Sequence, residues 1–462
     1  MYSADTIVAS ATPPGRGAVA IIRLSGADAI AIARTLWRPL GRSQGFSKRE
    51  LRLGEIRDPI TQAMIDRAMC VIFPGPRSLT GEDVAELHCH GGPYLIRRVL
   101  GLASGLGARI AEPGEFTRRA YLNGRIELTA AEAIADLIDA RGENALSQAI
   151  AQLSGALARR VDALRERLIT LRAHLEAAID FGDEDLELPA QDQMIGDLDA
   201  IAIDVQCLLD SFTRGRLMRD GVRVAIIGKP NAGKSSILNL LLGSDRAIVT
   251  PIPGTTRDII EDTLNLGPYA LVLQDTAGLR DSQDEIEQIG IGRSRRRAAE
   301  ADLLLAVFDS SRRFDNDDAE VISLTHDRPG VALLNKCDLP VCLSGEELRA
   351  NTLRLPIVSF CAATGDGLDQ LYAELLETLG TIFGTNGATE SNIAISRERH
   401  RAALAEAKGA LALAREAMMA GVPPEIITIE LSRATETLSS LTGIITTEDI
   451  LDTIFRQFCI GK

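Results

Sequence analysis

Aromatic side chains are scarce in this chain, at 4% of residues with a single tryptophan. The apolar mass comes instead from Ala, Leu and Ile, which favours helix-rich packing. Positive charge is also short. The chain has 64 acidic residues against 50 Lys and Arg, a formal net charge of -14. Nucleic-acid backbones are gripped by Lys and Arg, so the chain is not expected to grip nucleic acid over a broad face unaided. An RNA substrate would need a local basic patch or a partner to supply positive potential. The seven cysteines, at positions 70, 89, 207, 337, 342, 361 and 459, contain no C-x-x-C pair. That excludes a disulfide framework and implies reduced thiols in a cytosolic setting. No apolar run reaches the ~18 residues a membrane span needs. The N-terminal stretch MYSADTIVAS lacks the basic-then-apolar layout of a signal peptide. Gly461 and Lys462 occupy the places where a prenylation box needs an aliphatic and a permitted last residue, so Cys459 is not a lipid-attachment site.

The chain has 462 residues, 45% hydrophobic and 25% charged, enough for two to four soluble domains. Residues 1–120 alternate short apolar runs with turn signals, and VAIIRLSG (19–26), MCVIFPGP (69–76) and DVAELHCHGG (83–92) read as strands. ADAIAIARTLW (27–37) and PYLIRRVLGLASGLG (93–107) read as helices between them. This is an α+β or α/β domain. Beyond residue 125 proline disappears as far as Leu188. Leu153, Leu157, Val161, Leu164, Leu168, Leu171 and Leu175 recur at helical spacing and define one face. At Gly221 strand–helix alternation begins and continues to about Leu379, after which helical periodicity resumes. In the last helix Ile450, Leu451, Ile454, Phe455 and Phe458 form the apolar stripe. Helical texture on both sides of an α/β unit implies an insertion. The expected fold is therefore multidomain α/β and α: residues 1–120, a helical bundle from 121–215 and 381–462, and an inserted α/β domain at 216–380.

The strongest local signal is GKPNAGKS (228–235), which follows the apolar run VRVAIIG and opens the helix SILNLLLG. It matches the P-loop G-x-x-x-x-G-K-[ST] in its strand-to-helix context. Backbone N–H groups of Asn231, Ala232, Gly233, Lys234, Ser235 and Ser236 are placed to cradle phosphate at the positive end of the helix. Lys234 would reach the β and γ phosphates and Ser235 would hold magnesium. DTAG, Asp275, Thr276, Ala277 and Gly278, offers a second carboxylate to the metal and an N–H to the γ phosphate. NKCD supplies Asn335, Lys336 and Asp338, and the Asp338 carboxylate can accept from both N1–H and the N2 amine of guanine. Adenine presents neither donor there, so the pattern selects GTP. CAATGDG (361–367) matches the last guanine loop, with Cys361 where serine is more usual and the backbone of Ala362 facing the base. Together these pieces point to a GTPase, and they resemble the Ras-like P-loop domain of translation-factor-related GTPases.

The first switch is TPIPGTTRD (250–258), comprising Thr250, Pro251, Ile252, Pro253, Gly254, Thr255 and Thr256 at the nucleotide, with Thr256 the candidate second magnesium ligand. Leu279 follows DTAG, where Ras-type enzymes carry a water-orienting glutamine. Leucine cannot do that work. Glu287, a short loop away, is either the replacement or a solvated acid at a helix start. Asn231 either offers an amide oxygen to a monovalent cation beside the phosphates or stabilises its turn. The pair His88 and His90 lacks an evident third ligand and reads as strand packing. RSRRR (293–297) reads as a solvated helix face.

These motifs, with DTIVASATPPGRG (5–17), LTGEDVAELHCHGG (79–92), EPGEFTRRAYLN (112–123) and the terminal CIGK, resemble the tRNA-modifying GTPase family MnmE, also called TrmE, over the whole chain. The resemblance implies an N-terminal domain similar to folate-dependent aminomethyltransferases, which dimerises and binds a 5,10-methylene or 5-formyl tetrahydrofolate. It implies a helical domain with an inserted GTPase domain, potassium as well as magnesium, and a homodimer. It further implies a heterotetramer with the FAD-dependent MnmG and a tRNA substrate. Family members modify C5 of the wobble uridine with an aminomethyl or carboxymethylaminomethyl group. Carried onto this chain, Asn231 with the main-chain oxygens of Thr250, Ile252 and Thr255 would hold potassium, and Glu287 would orient water. Arg23, Glu82, Arg125 and Lys462 would contact folate, with arginine at 125 where the family commonly has lysine. Cys459 is either a thiol in uridine activation or a small filler. A ribosome-assembly GTPase acting as a binding switch is the alternative, but such proteins usually carry a basic module that this acidic chain lacks.

Overall fold

The computed structural model describes residues 5–40, 48–180, 189–243, 262–273, 295–296, 298–384, 393–445 and 447–462. The chain divides into two units, Met1–Ala135 with Gln152–Ile201 and Gly409–Lys462, and Asp136–Ala151 with Ala202–Lys408.

In the first unit, strands β1 (Ile7–Ser10), β2 (Gly17–Ser25), β3 (Trp37–Pro39), β4 (Arg52–Arg57), β5 (Met64–Phe73), β6 (Val84–Gly91) and β7 (Arg109–Ile110) form one sheet. Its order is β3-β4-β5-β6-β2-β1-β7. Every described pairing is antiparallel except β1 with β7. Alternation along β2 turns Ala20, Ile22 and Leu24 inward, where Ile32, Leu36, Val99 and Ala103 from the helices Ala29–Leu36 and Pro93–Gly105 meet them. Both helices were legible, but Trp37 leaves the first of them and enters β3. Its indole N–H donates to the Ala68 carbonyl at 2.9 Å. Gly54 leaves room for that ring, since a Cβ there would sit 2.4 Å from the indole.

The helix Ala156–Asp180 packs along Pro424–Thr442 through the stripe Leu157, Val161, Leu164, Leu168, Leu171 and Leu175. Leu153 does not belong to that stripe. It ends the preceding helix Glu143–Leu153 and is exposed, and Gly155, at φ 77°, turns the chain before the long helix starts. A heptad-like spacing continues by chance across this break. The final helix Glu448–Phe455 buries Leu451, Ile454 and Phe455, and Phe458 joins them against Leu128 and Ala131.

The second unit carries the sheet β13-β12-β11-β8-β10-β9. Its strands are β8 (Val222–Gly228), β9 (Asp262–Leu266), β10 (Tyr269–Leu273), β11 (Leu303–Asp309), β12 (Gly330–Asn335) and β13 (Ile357–Ser359). All pairs are parallel except β9 with β10. Parallel strands are buried on both faces and read as continuous apolar runs, as LLLAVFD (303–309) does. Leu303, Leu305 and Val307 pack with Ile237, Leu241 and Leu371, while Leu304, Ala306 and Phe308 pack with Val321, Ile322 and Leu348. The chain turns from one side of β8 to the other between β10 and β11. Ligands of open α/β sheets bind at such a switch point, beyond the strands' carboxyl ends.

Candidate functional site

The P-loop leaves β8 at that switch point and enters the helix Lys234–Gly243. Two glycines make the path possible. Gly228 has φ 152°, and a Cβ there would lie 2.4 Å from the Val307 carbonyl oxygen. Gly233 has φ 99°, and a Cβ there would lie 2.2 Å from Asn335 Nδ2. Lys234 donates to the carbonyls of Gly228 and Lys229 at 2.9 and 2.6 Å, so its ammonium sits over the loop. The half-buried Ser235 hydroxyl has no protein partner among the described residues, as a group reserved for a metal would. Asn231 stands in the left-handed region at φ 61° with its amide exposed, and Ser236 is exposed beside it.

The guanine side is built around Asn335, which is almost fully buried. Its amide nitrogen donates to the Ala232 carbonyl at 2.8 Å, and its amide oxygen accepts from the Ala362 N–H at 3.1 Å. Asn335 thus fastens the P-loop to the last guanine loop. Lys336, at φ 64°, donates to the buried Asp309 carboxylate at 2.6 Å. Burial alone would raise the Asp309 pKa, but bonds from Lys336 and Ser311 outweigh it and hold the group below 3.8. Asp338 is exposed, and the buried Cys361 thiol donates to it at 3.2 Å. A thiol therefore fills the donor role of the more usual serine hydroxyl. Thr250, Pro251, Ile252, Pro253, Gly254, Thr255, Thr256, Asp275, Thr276, Ala277, Gly278 and Glu287 lie outside the described residues.

Two features escaped the motif reading. Lys229 pairs with Asp315 at 2.8 Å and with buried Asp318 at 2.6 Å. Burial would depress the Lys229 pKa, yet these carboxylates raise it and keep the ammonium charged. In the first unit, Arg119 donates to Asp5, Glu115 and Glu82 while almost wholly buried. The spacing of Glu115 and Arg119, four apart on one helix, was the available signal.

Of the four residues that the resemblance assigns to folate, Glu82 accepts from that arginine, and Arg23, Arg125 and Lys462 have their own partners in the same unit. Arg23 pairs with Glu86 at 2.8 Å, lies over the Phe116 ring, and donates to the Gly461 carbonyl at 3.4 Å. The Lys462 carbonyl accepts from Phe116 N–H at 3.0 Å, and the Cys459 carbonyl from Gly114 N–H at 3.4 Å. The C-terminal tail therefore docks on the start of the helix Glu115–Leu122 of the same chain, next to Arg23 of β2. Glu82 accepts from Ser25 Oγ at 2.6 Å, and Ser25 lies two residues beyond Arg23 on β2. The stem of Arg125 lies beside Gly81, where a Cβ would be 3.4 Å from Arg125 Cγ. The Cys459 thiol is exposed. Burial instead pushes Cys70 up to about 12 and Cys89 up to about 11, so those two act as packing groups. His88 pairs with Glu86 and His90 with Asp66, and no metal-binding group of three or more ligands occurs among the described residues. Among the described residues, no helix is long and apolar enough to cross a membrane.

A P-loop at the switch point of a mostly parallel sheet, laced to a guanine-specific Asn-Lys-x-Asp segment, defines a P-loop GTPase. The family models agree on the rest of the chain. Residues 6–125 match the model described as GTP-binding protein TrmE N-terminus, and residues 128–459 match that of the MnmE helical domain. The chain belongs to the MnmE family of tRNA modification GTPases. It is 39% identical to the MnmE of Natranaerobius thermophilus over 458 residues, covering 99% of both chains. It is 42% identical to that of Geobacter sulfurreducens, covering 100% of both, and 43% identical to that of Moorella thermoacetica, covering 99% of both.

Proposed function

We propose that this chain hydrolyses GTP to drive modification of C5 of the wobble uridine in certain tRNAs. A tetrahydrofolate, 5,10-methylene or 5-formyl, serves as one-carbon carrier. The working assembly is a cytosolic homodimer joined by a FAD-dependent partner, with the chain organised as 1–120, 121–215, 216–380 and 381–462. The observation that carries this reading is the docking of the C-terminal tail beside Arg23, against the start of the helix Glu115–Leu122, in a chain that also bears a P-loop.

In this reading Asn335 and Ala362 shape the base pocket, Asp338 reads the two guanine donors, and Lys234 holds the terminal phosphates. Ser235 and Thr256 would hold magnesium, which when bound neutralises phosphate charge. The free hydroxyl of Ser235 and the glycine-lined loop fit that group. Asn231 with the main-chain oxygens of Thr250, Ile252 and Thr255 would hold potassium, which supplies positive charge at the phosphates in place of an arginine. The exposed Asn231 amide suits that task. Glu287 orients the attacking water as two GTPase domains meet. Arg23, Glu82, Arg125 and Lys462 bind folate, and Cys459 assists at uridine.

The test is reconstitution with the flavoprotein partner, tRNA, GTP and methylene-tetrahydrofolate in potassium or sodium salt. Modification and fast GTP hydrolysis are expected in potassium alone, and Asn231→Lys should abolish the difference in hydrolysis. Removal of residues 459–462 should stop modification but spare hydrolysis. Equal GTPase rates in both salts, or modification without folate, would overturn the corresponding part.

A further inference from the structure

A cavity of about 710 Å³ opens in the first unit between three short segments, Tyr121–Ala130, Leu153–Arg159 and Thr442–Ile444. Its size is that of a small-molecule site, for which ~300–1,000 Å³ is usual. Its walls are of two kinds. Leu122, Leu153 and Ile444 present exposed apolar surface. Arg125 and Arg159 present guanidinium groups, and among the described residues neither is in an ion pair. Arg159 is steadied by donating to the Ser154 carbonyl at 2.6 Å, which leaves most of its fork unused. Gly443 shapes the third wall: it has φ 89°, and a Cβ there would lie 2.7 Å from the Tyr121 hydroxyl oxygen.

Such a wall pattern suits a ligand with a flat apolar part and more than one anionic group, because a guanidinium fork matches a carboxylate. Arg125 also connects the cavity to the neighbouring cluster, since its stem lies beside Gly81 and Glu82 follows in the chain. We infer that the cavity receives the aminobenzoyl ring and γ-linked glutamates of a polyglutamylated reduced folate. The ring lies against Leu122, Leu153 and Ile444, the first carboxylates on Arg125 and the later ones on Arg159. This rests on the folate reading above and narrows it from folates in general to chains of several glutamates. A second cation, on a different lining segment from the first, is of use only to the longer anion. Two guanidinium groups on separate lining segments, with Glu127 also in the wall, suit a chain of carboxylates better than one cluster of phosphates.

The experiment is calorimetric titration of the full chain with mono- and triglutamyl 5-formyltetrahydrofolate, repeated with Arg159→Gln and Arg159→Lys. The triglutamate should bind about tenfold more tightly than the monoglutamate, one charge-assisted contact's worth. Arg159→Gln should erase that advantage, and Arg159→Lys should restore part of it. Equal affinities in the unmodified chain overturn the inference but leave the folate reading standing. No binding of either compound defeats the folate reading itself. If Arg159→Gln weakens an anticodon stem-loop RNA and leaves the triglutamate advantage intact, the cavity serves nucleic acid and the inference is wrong.

Discussion

Replacing Asn335 with alanine isolates the contact that joins the two halves of the nucleotide pocket. The side chain makes two hydrogen bonds, to the Ala232 carbonyl at 2.8 Å and from the Ala362 N–H at 3.1 Å. Its loss leaves one acceptor and one donor without their partner. Ala232 is buried, so its carbonyl bears the full penalty of an unmade bond, about 1–3 kcal/mol. Ala362 is half-buried and water can reach it, so its share is at the low end, about 1 kcal/mol. The sum, about 2–4 kcal/mol, corresponds to a loss of affinity of roughly 30- to 1,000-fold. The loss should be the same for GDP and GTP, because the contact serves the base pocket and the loop both nucleotides share. Lys234→Ala should instead penalise GTP more than GDP. The assay is equilibrium titration with fluorescent GDP and a non-hydrolysable GTP analogue, with a urea melt as control for folding. Asn335→Ala binding GDP within threefold of the unmodified chain would show that the two bonds do not hold the pocket together.

Acid should loosen the first unit through Glu115, which pairs with Arg109 at 2.6 Å and Arg119 at 3.0 Å while buried. Burial alone would raise its pKa, but Arg109, the Glu112 N–H and Arg119 outweigh it and hold the pKa below 4.5. The stabilisation is therefore present above about pH 4.5 and is lost as pH falls through the lower folded value. Glu115→Ala should cost about 3–5 kcal/mol at neutral pH and flatten the acid limb of a urea-midpoint series. An unchanged limb would remove Glu115 from that transition. Gly461→Val should free the C-terminal tail, because φ is 97° and a Cβ would lie 2.1 Å from the Ser10 carbonyl oxygen. Carboxypeptidase should then trim residues 459–462 faster at an unchanged GTP hydrolysis rate, and equal resistance to trimming would refute the docking argument.

The parts of the molecule legible in its sequence are those whose chemistry faces a ligand of fixed shape. The P-loop pattern is built on glycines, and Gly228 and Gly233 take positive φ values where a Cβ would meet Val307 and Asn335. The Asn-Lys-x-Asp segment could be read because guanine offers two adjacent donors that a carboxylate matches, whereas the thiol of Cys361, which donates to Asp338, occupies a position that such a pattern leaves free to vary. Interior partnerships answer to no such outside template. Arg119 is held by Asp5 and Glu82, distant in sequence, and many other charge pairs would have served the same space. Periodicity failed at Leu153 for a related reason, since spacing cannot register a turn that happens to preserve it. The tail joins both cases. Its CIGK motif was readable, but the need for glycine at 461 comes from the Ser10 carbonyl it passes, a constraint visible only once the two ends of the chain lie side by side.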